Sequence, residues 1–177
     1  MRIIGFVLGA AVLLLGSWGC GDNPPSGSSA LQVTSLSFTD GGTIGSQYTC
    51  HGADISPELA WTPVDGAECY AVIMDDATAN DFVHWNLWSI LPLTQTIPES
   101  STDGIPGLND FGNVGYGGPC PPRDGPHTYT ISVFGLTGSA CDPANQSWSR
   151  AGYRPQFATQ IVDEGHISFT YSAPAIE

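Results

Sequence analysis

The chain has 177 residues, with 17 Asp or Glu against only 4 Lys or Arg, and a formal charge of -13. That length is one ordinary domain, able to bury its own core without metal or disulfide staples. The four bases are all arginines (Arg2, Arg123, Arg150 and Arg154), too few to neutralise a phosphate backbone or an anionic lipid surface. Nucleic-acid binding is therefore all but excluded, and so is a polybasic membrane mode. The acidity does not argue for a cationic partner, because an acidic surface also simply keeps an exported protein soluble. With 22 Gly, 14 Pro and 12% charged residues, the composition favours turns and strands over long surface helices.

Residues 1–19 read as a signal peptide. Arg2 supplies one positive charge, and Phe6 to Leu15 forms an apolar run too short for a membrane span. The run ends at Ser17-Trp18-Gly19-Cys20, which resembles a bacterial lipobox, although Trp18 and Ser17 stand where that motif prefers a small residue and Leu. We expect acylation of Cys20 and anchoring in the cell envelope, periplasmic or surface side, with plain secretion as the alternative. Cleavage discards Arg2 and no acid, so the mature charge becomes -14. Residues 20–30 read as a flexible tether, since Asp22 to Ser29 has no apolar side chain. Residues 31–177 form the single expected domain.

Strand signals follow. Leu31 and Val33 begin an alternation continued through Leu36 and Phe38 to the turn Asp40-Gly41-Gly42. Tyr70 to Met74 is an unbroken apolar run, as in a strand buried on both faces. Val83, Trp85 and Leu87 alternate with His84, Asn86 and Trp88; Tyr129, Ile131 and Val133 alternate with Thr130 and Ser132; Ile167, Phe169 and Tyr171 repeat the pattern. Glu99 to Pro126 reads as the longest loop. One short helix is expected, opened by Pro155, with Phe157 and Ile161 on one face and an end near Val162. The sum is a mainly β protein: a β-sandwich of antiparallel sheets with Greek-key connections, long loops and one short C-terminal helix.

If Cys20 takes lipid, Cys50, Cys69, Cys120 and Cys141 remain, an even count that suits two disulfides in any of three pairings. No Cys-x2-4-Cys pair supports zinc, and no cofactor or metal is expected. The chain lacks a Gly-x-Ser-x-Gly elbow, a phosphate-binding Gly-x4-Gly-Lys loop and a His-Glu-x-x-His helix. The order His84, Cys120, His127 is blue-copper-like, but Cys120 and His127 are too far apart and Met74 lies upstream of both.

Three segments do carry a signal. They are Tyr48-Thr49-Cys50-His51-Gly52-Ala53-Asp54-Ile55-Ser56-Pro57-Glu58-Leu59-Ala60-Trp61; Asp75-Asp76 with Phe82-Val83-His84-Trp85; and Gly115-Tyr116-Gly117-Gly118-Pro119-Cys120-Pro121-Pro122 with His127-Thr128-Tyr129. In this order and spacing they resemble the phosphatidylethanolamine-binding protein family, in its bacterial Raf-kinase-inhibitor-like branch. The likeness covers residues 36 to 136 and thins beyond, where Gly165-His166 and Tyr171 are its only familiar points. It implies a β-sandwich with a small pocket for phosphate-type anions or phospholipid head groups, and a binding or regulatory protein rather than an enzyme. The site residues it implies are Asp76, His84, Gly118, Pro119, His127 and Tyr129. Alone, a strand histidine is more often structural than a ligand, Tyr129 reads as core and Asp76 as a turn residue. His51 and His166 stay as loop or surface residues, and Trp61, Trp85 and Trp88 as core.

The chain departs from the family motifs where Thr78 replaces a second acid and Thr128 an arginine. We expect these two positions to be neighbours, the threonines standing in for a charge pair. With net charge near -14, an anion must be held by short-range donors: the imidazoles, the phenol and backbone amides of the Gly-rich turn. Asp76 would fix an imidazole tautomer rather than touch the anion. If Asp76 ends one strand and His127 starts its antiparallel neighbour at that pocket, Cys69 lies opposite Gly135 or Leu136. That favours Cys69–Cys141, leaving Cys50–Cys120. The expected partner is thus a small anionic ligand, a phosphate monoester or phospholipid head group, with the membrane reached only through the N-terminal lipid. The alternative is an interaction protein, of protease- or kinase-inhibitor type, that meets a protein partner through its loops. A hydrolase using His84, His127 and Asp76 ranks last for want of a nucleophile.

Overall fold

The computed structural model describes residues 30–143 and 146–175; the signal peptide, Cys20 and the tether lie outside the described residues. A six-stranded sheet forms the centre. Its members are β2 (Gly42–Thr43), β4 (Cys69–Asp76), β5 (Phe82–Ile90), β7 (Ile105–Pro106), β8 (His127–Leu136) and β9 (Ile161–Tyr171), in the order β2-β9-β8-β4-β5-β7. A three-stranded sheet of β1 (Val33–Thr34), β3 (Leu59–Trp61) and β6 (Thr96–Ile97), ordered β1-β3-β6, packs on one face. The helix α1 (Arg150–Gln156) packs on the other.

The apolar run of β4 explains this layering. Tyr70, Val72 and Met74 join the core shared with Leu59, Trp61 and Ile97, while Cys69, Ala71 and Ile73 join Trp88, Phe134 and Tyr153 of α1. Side chains two apart share a face, so a strand covered on both sides has no polar position until it ends at Asp75 and Asp76, themselves buried. Truncating Ile73 to alanine here would cost about 2–5 kcal/mol.

The chain is mainly β and sandwich-like, as expected, with four differences in detail. The large sheet is mixed rather than purely antiparallel, because β2 pairs parallel to β9. Leu36 is exposed, not part of an alternation: Leu31 and Val33 are odd-numbered and Leu36 and Phe38 even, so a bend at 36–37 must reset the phase. The long loop carries β7, which pairs with β5 at Leu87↔Pro106 and Trp88↔Ile105. The helix begins earlier than Pro155. Ser149 caps it by accepting from Gly152 N–H, and Pro155 falls in its last turn, where a missing donor shortens rather than opens a helix. Ile161 already belongs to β9.

Both disulfides are present, Cys50–Cys120 with Cα atoms 5.4 Å apart and Cys69–Cys141 with Cα atoms 5.8 Å apart. The register behind the second is Asp76↔Tyr129 through Cys69↔Leu136.

Candidate functional site

β4, β5 and β8 end together, and their ends build a hollow of about 160 Å³. Asp76 closes β4, His84 lies near the start of β5, and His127 and Tyr129 open β8. All four side chains line the hollow, with Phe82, Phe111, Cys120, Pro121 and Pro122 around them. The two imidazoles and the phenol, drawn from separate chain regions, therefore do share one cavity.

His84 reaches it through a β-bulge. Met74 faces Trp85 and Asp75 faces Val83, so His84 is the extra residue of β5. Strict alternation would put His84 and Trp85 on opposite faces. The bulge lets Trp85 join the inter-sheet core while His84 packs edge-on to Tyr129 at 5.2 Å. The sequence shows no sign of this extra residue.

The two histidines have opposite characters. His127 Nδ1 donates to Asp76 Oδ2 at 2.6 Å. That bond, with the Asp76 charge, raises the His127 pKa above the usual histidine value against the opposing effect of burial. His84 Nδ1 donates to the Gly117 carbonyl at 2.8 Å and lies 3.2 Å from that of Gly118. Two carbonyls can only accept, so Nδ1 carries the proton and Nε2 presents a lone pair. Burial lowers the His84 pKa, outweighing those carbonyls and Asp76. One ring biased toward the protonated donor form and one held toward the neutral acceptor form thus flank the hollow.

Tyr129 supplies a third group. It is fully buried, and its hydroxyl has only the Asp76 carboxylate beside it, in a contact short of good hydrogen-bond geometry. Burial and the nearby Asp76 charge hold its proton on, so the group can only donate usefully. A buried hydroxyl without a well-aligned acceptor is costly, and a ligand oxygen in line with the O–H would lower that cost. His127 Nε2, by contrast, has a loose neighbour in Asp124 Oδ1 at 3.3 Å, and that Asp side chain is largely exposed.

Asp76 acts as expected, fixing one imidazole. Its other oxygen accepts from the backbone N–H of Thr78 and Ala79, which locks the short 3-10 turn 77–79 after β4. Thr78 and Thr128 are indeed neighbours: Thr128 N–H donates to Thr78 Oγ1 at 2.9 Å. Both are exposed, however, so the replaced pair would be a surface pair and not a buried one.

The Gly-rich turn does not serve as an amide nest. Gly115 N–H donates to Gly107 O, Gly117 N–H to His84 O and Gly118 N–H to Asp54 Oδ1 at 2.7 Å. Every one of these donors is already used, and the turn instead offers carbonyls to His84. Gly118 and Pro119 do not line the 160 Å³ hollow. Pro119 is buried with its carbonyl accepting from Cys50 N–H, and Gly118 lines a separate hollow of about 220 Å³ with Cys50, Asp54, Phe111 and Tyr116. Glycine is required at 118 by close approach: a Cβ would lie 2.6 Å from Asp54 Oδ1 and 2.8 Å from Thr49 Cα. The Cys50–Cys120 disulfide ties this turn to the Tyr48–Asp54 segment.

Sequence reasoning missed Phe82, Phe111, Pro121 and Pro122 as lining and Asp124 as a neighbour of His127. Asp124-Gly125 read only as loop, although an acid three residues before a strand histidine is within its reach. His51 and His166 are exposed, and Trp61, Trp85 and Trp88 are buried.

Comparison with known proteins bears on the family and the fold. The family profile described as Phosphatidylethanolamine-binding protein matches residues 34–172, well past the segment where the motifs are plain. A UPF0098 protein of Aquifex aeolicus is 43% identical over 122 residues, 63% of this chain and 71% of its own. The UPF0098 protein PH1269 of Pyrococcus horikoshii is 38% identical over 152 residues, 76% of this chain and 72% of its own. A Mycobacterium tuberculosis protein named "Putative lipoprotein LppC" is 34% identical over 118 residues, covering 64% of this chain and 59% of its own. Among solved structures, E. coli YbcL, described as a member of the mammalian PEBP family, superposes with a TM-score of 0.70 at 26% identity, over 82% of this chain and all of that one. Profile, relatives and fold agree: this chain belongs to the phosphatidylethanolamine-binding protein family.

Proposed function

We propose that this protein binds, without turning over, a phosphate monoester or a phospholipid head group in the hollow between His84 and His127. The observation that carries the reading is the fully buried Tyr129 hydroxyl, lacking a well-aligned acceptor, in one hollow with two imidazoles whose pKa values are shifted in opposite directions. A singly protonated phosphate monoester matches all three groups. Its anionic oxygens accept from Tyr129 O–H and His127 Nε2–H, and its own P–OH donates to His84 Nε2. Asp124 must swing away from His127 as the anion arrives, which its exposure permits. The non-enzymatic part of the reading rests on the lining: among the described residues it holds no serine, threonine or free thiol, and Cys120 is spent in a disulfide.

Export fits the two disulfides and the lipoprotein name of one relative. We take Cys20 as the acylated N-terminus, which would hold the domain at the envelope by a short tether.

NMR titration with phosphoethanolamine and with phenyl phosphate tests the pocket. Shifts at His84, His127 and Tyr129 that vanish in His84→Ala support it. Shifts confined to the outer loops would favour an interaction protein, and release of phosphate would favour an enzyme.

A further inference from the structure

We infer that the turn Leu91–Leu93 is the part of the domain that meets the membrane, so that the pocket opens away from the bilayer in which the protein is anchored. The inference rests on the proposed acylation of Cys20. Strand register supplies the geometry. The pocket sits where β4 ends at Asp76 and β8 begins at His127; Cys69, Ile90, Leu136 and Ile161 mark the opposite end of the same sheet. Nine residue steps separate His127 from Leu136, about 30 Å of strand.

The chain arrives at that opposite end. Leu31 N–H donates to Asp163 Oδ2, and Gln32 exchanges hydrogen bonds with Thr62. From there β1 runs toward the pocket, where Phe38 packs on Phe169. The nine residues between Cys20 and Ala30 reach at most about 35 Å, and they join the domain at the leucine end of the sheet, not at the pocket end.

The same end carries the exposed leucines. Leu91 follows Ile90, which pairs with Tyr70, and the turn closes with Thr94 N–H donating to Leu91 O. Gln95 O accepts from Trp61 N–H, and Trp61 pairs with Val33. The turn is therefore two strands away from the point where the tether joins. Leu93 is 89% exposed and Leu91 72%, with Pro92 exposed between them. Two leucines on a turn tip are costly in water and gain by entering an interface. Asp65 and Glu68 are exposed at this end too, so the contact is with zwitterionic lipid, held close by the anchor rather than by charge.

The consequence concerns ligand source. A pocket about 30 Å from the anchoring surface draws on soluble phosphate monoesters rather than on head groups of its own bilayer.

The test uses the full chain, exported and processed in a bacterial host and reconstituted in vesicles of brominated phosphatidylcholine. Leu93→Trp and Arg123→Trp report on the two ends, with the unsubstituted protein as background. Added fluorescence at 93 should be quenched several-fold more than that at 123, and Leu91→Ser in the Leu93→Trp protein should reduce the quenching. Phenyl phosphate should bind the anchored and detergent-dispersed protein within about twofold. Equal quenching at both positions, or stronger quenching at 123, in protein whose N-terminal mass shows the lipid would overturn the orientation alone. A mass without lipid would overturn the anchor and the orientation with it, while leaving the pocket reading to its own titration.

Discussion

His127 and Asp76 form the tightest polar contact of the pocket, Nδ1 to Oδ2 at 2.6 Å, with both side chains buried. Asp76 spends its second oxygen on the turn that follows β4. One carboxylate thus fixes both the His127 ring and the backbone beside it. The contact raises the His127 pKa. A histidine whose folded-state value lies above its unfolded value gives stabilisation that is complete below about 6.5 and is lost as pH rises through the raised value.

Anion binding should follow the same sign. Affinity for phenyl phosphate, measured by calorimetry, should fall as pH rises through the raised His127 value. In Asp76→Asn the amide oxygen can still accept from Thr78 and Ala79, but the charge is gone. The fall should then move to lower pH, with about a tenfold loss of affinity at pH 7. An unchanged profile in Asp76→Asn would show that His127 does not bind the anion as a cation.

His84 yields a second prediction. Its neutral Nε2 needs a donor, which a singly protonated phosphate monoester has and sulfate lacks. Sulfate should therefore bind at least tenfold more weakly than phosphate or phenyl phosphate near pH 7. The gap should narrow as pH drops through the lowered pKa of His84 and Nε2 gains a proton. Phosphate monoesters titrate near pH 6, so binding at pH 7 should take up a proton, visible as a dependence of calorimetric heat on buffer ionisation. Equal affinity for sulfate and phosphate at pH 7 would remove the neutral-acceptor role of His84.

How far the sequence could lead is clear from particular residues. The run Tyr70 to Met74 announced a strand buried on both faces, because no polar side chain interrupts it. His127 and Tyr129 had to share a face because they are two apart on a strand, and once the family resemblance put the end of β4 and the start of β8 at one pocket, Cys69 fell near Leu136 and within reach of Cys141. What local pattern cannot carry are insertions that shift phase. The bulge at His84 and the bend at Leu36 each break a period of two, and neither leaves a mark in residue type. The Gly-rich turn misled for a related reason. Gly118 is there because Asp54 and Thr49, more than sixty residues upstream, press against it, not because its amide must be free.

The Thr78–Thr128 contact predicts a small energy. Both residues are exposed, and only a backbone N–H to hydroxyl bond joins them. Restoring a charge pair with Thr78→Asp and Thr128→Arg should give a coupling energy below about 1 kcal/mol in a double-mutant cycle by urea denaturation. Each single variant should change stability by about 0.5 kcal/mol or less. A coupling above about 2 kcal/mol would mean that the two positions are shielded from water.

Asp75 stands next to Asp76 but points to the other face of the sheet, where its Oδ2 accepts from Arg150 N–H at the start of α1. Burial pushes its pKa up to about 6, against the lowering effect of that bond. A carboxyl with a raised folded-state pKa binds its proton more tightly in the folded protein, so stability falls as pH climbs from about 4 to about 6. Above that range the buried charge is a standing cost. Asp75→Asn keeps an acceptor for Arg150 N–H and removes the charge, so it should stabilise the protein at pH 7 by about 1–3 kcal/mol and give no gain near pH 3.5. Thermal unfolding at the two pH values measures the difference, and phenyl phosphate affinity should not change, since Asp75 does not line the His84–His127 hollow. Destabilisation at pH 7 would mean that the carboxylate is matched by Arg150 and Arg154 across the cleft it shares with them.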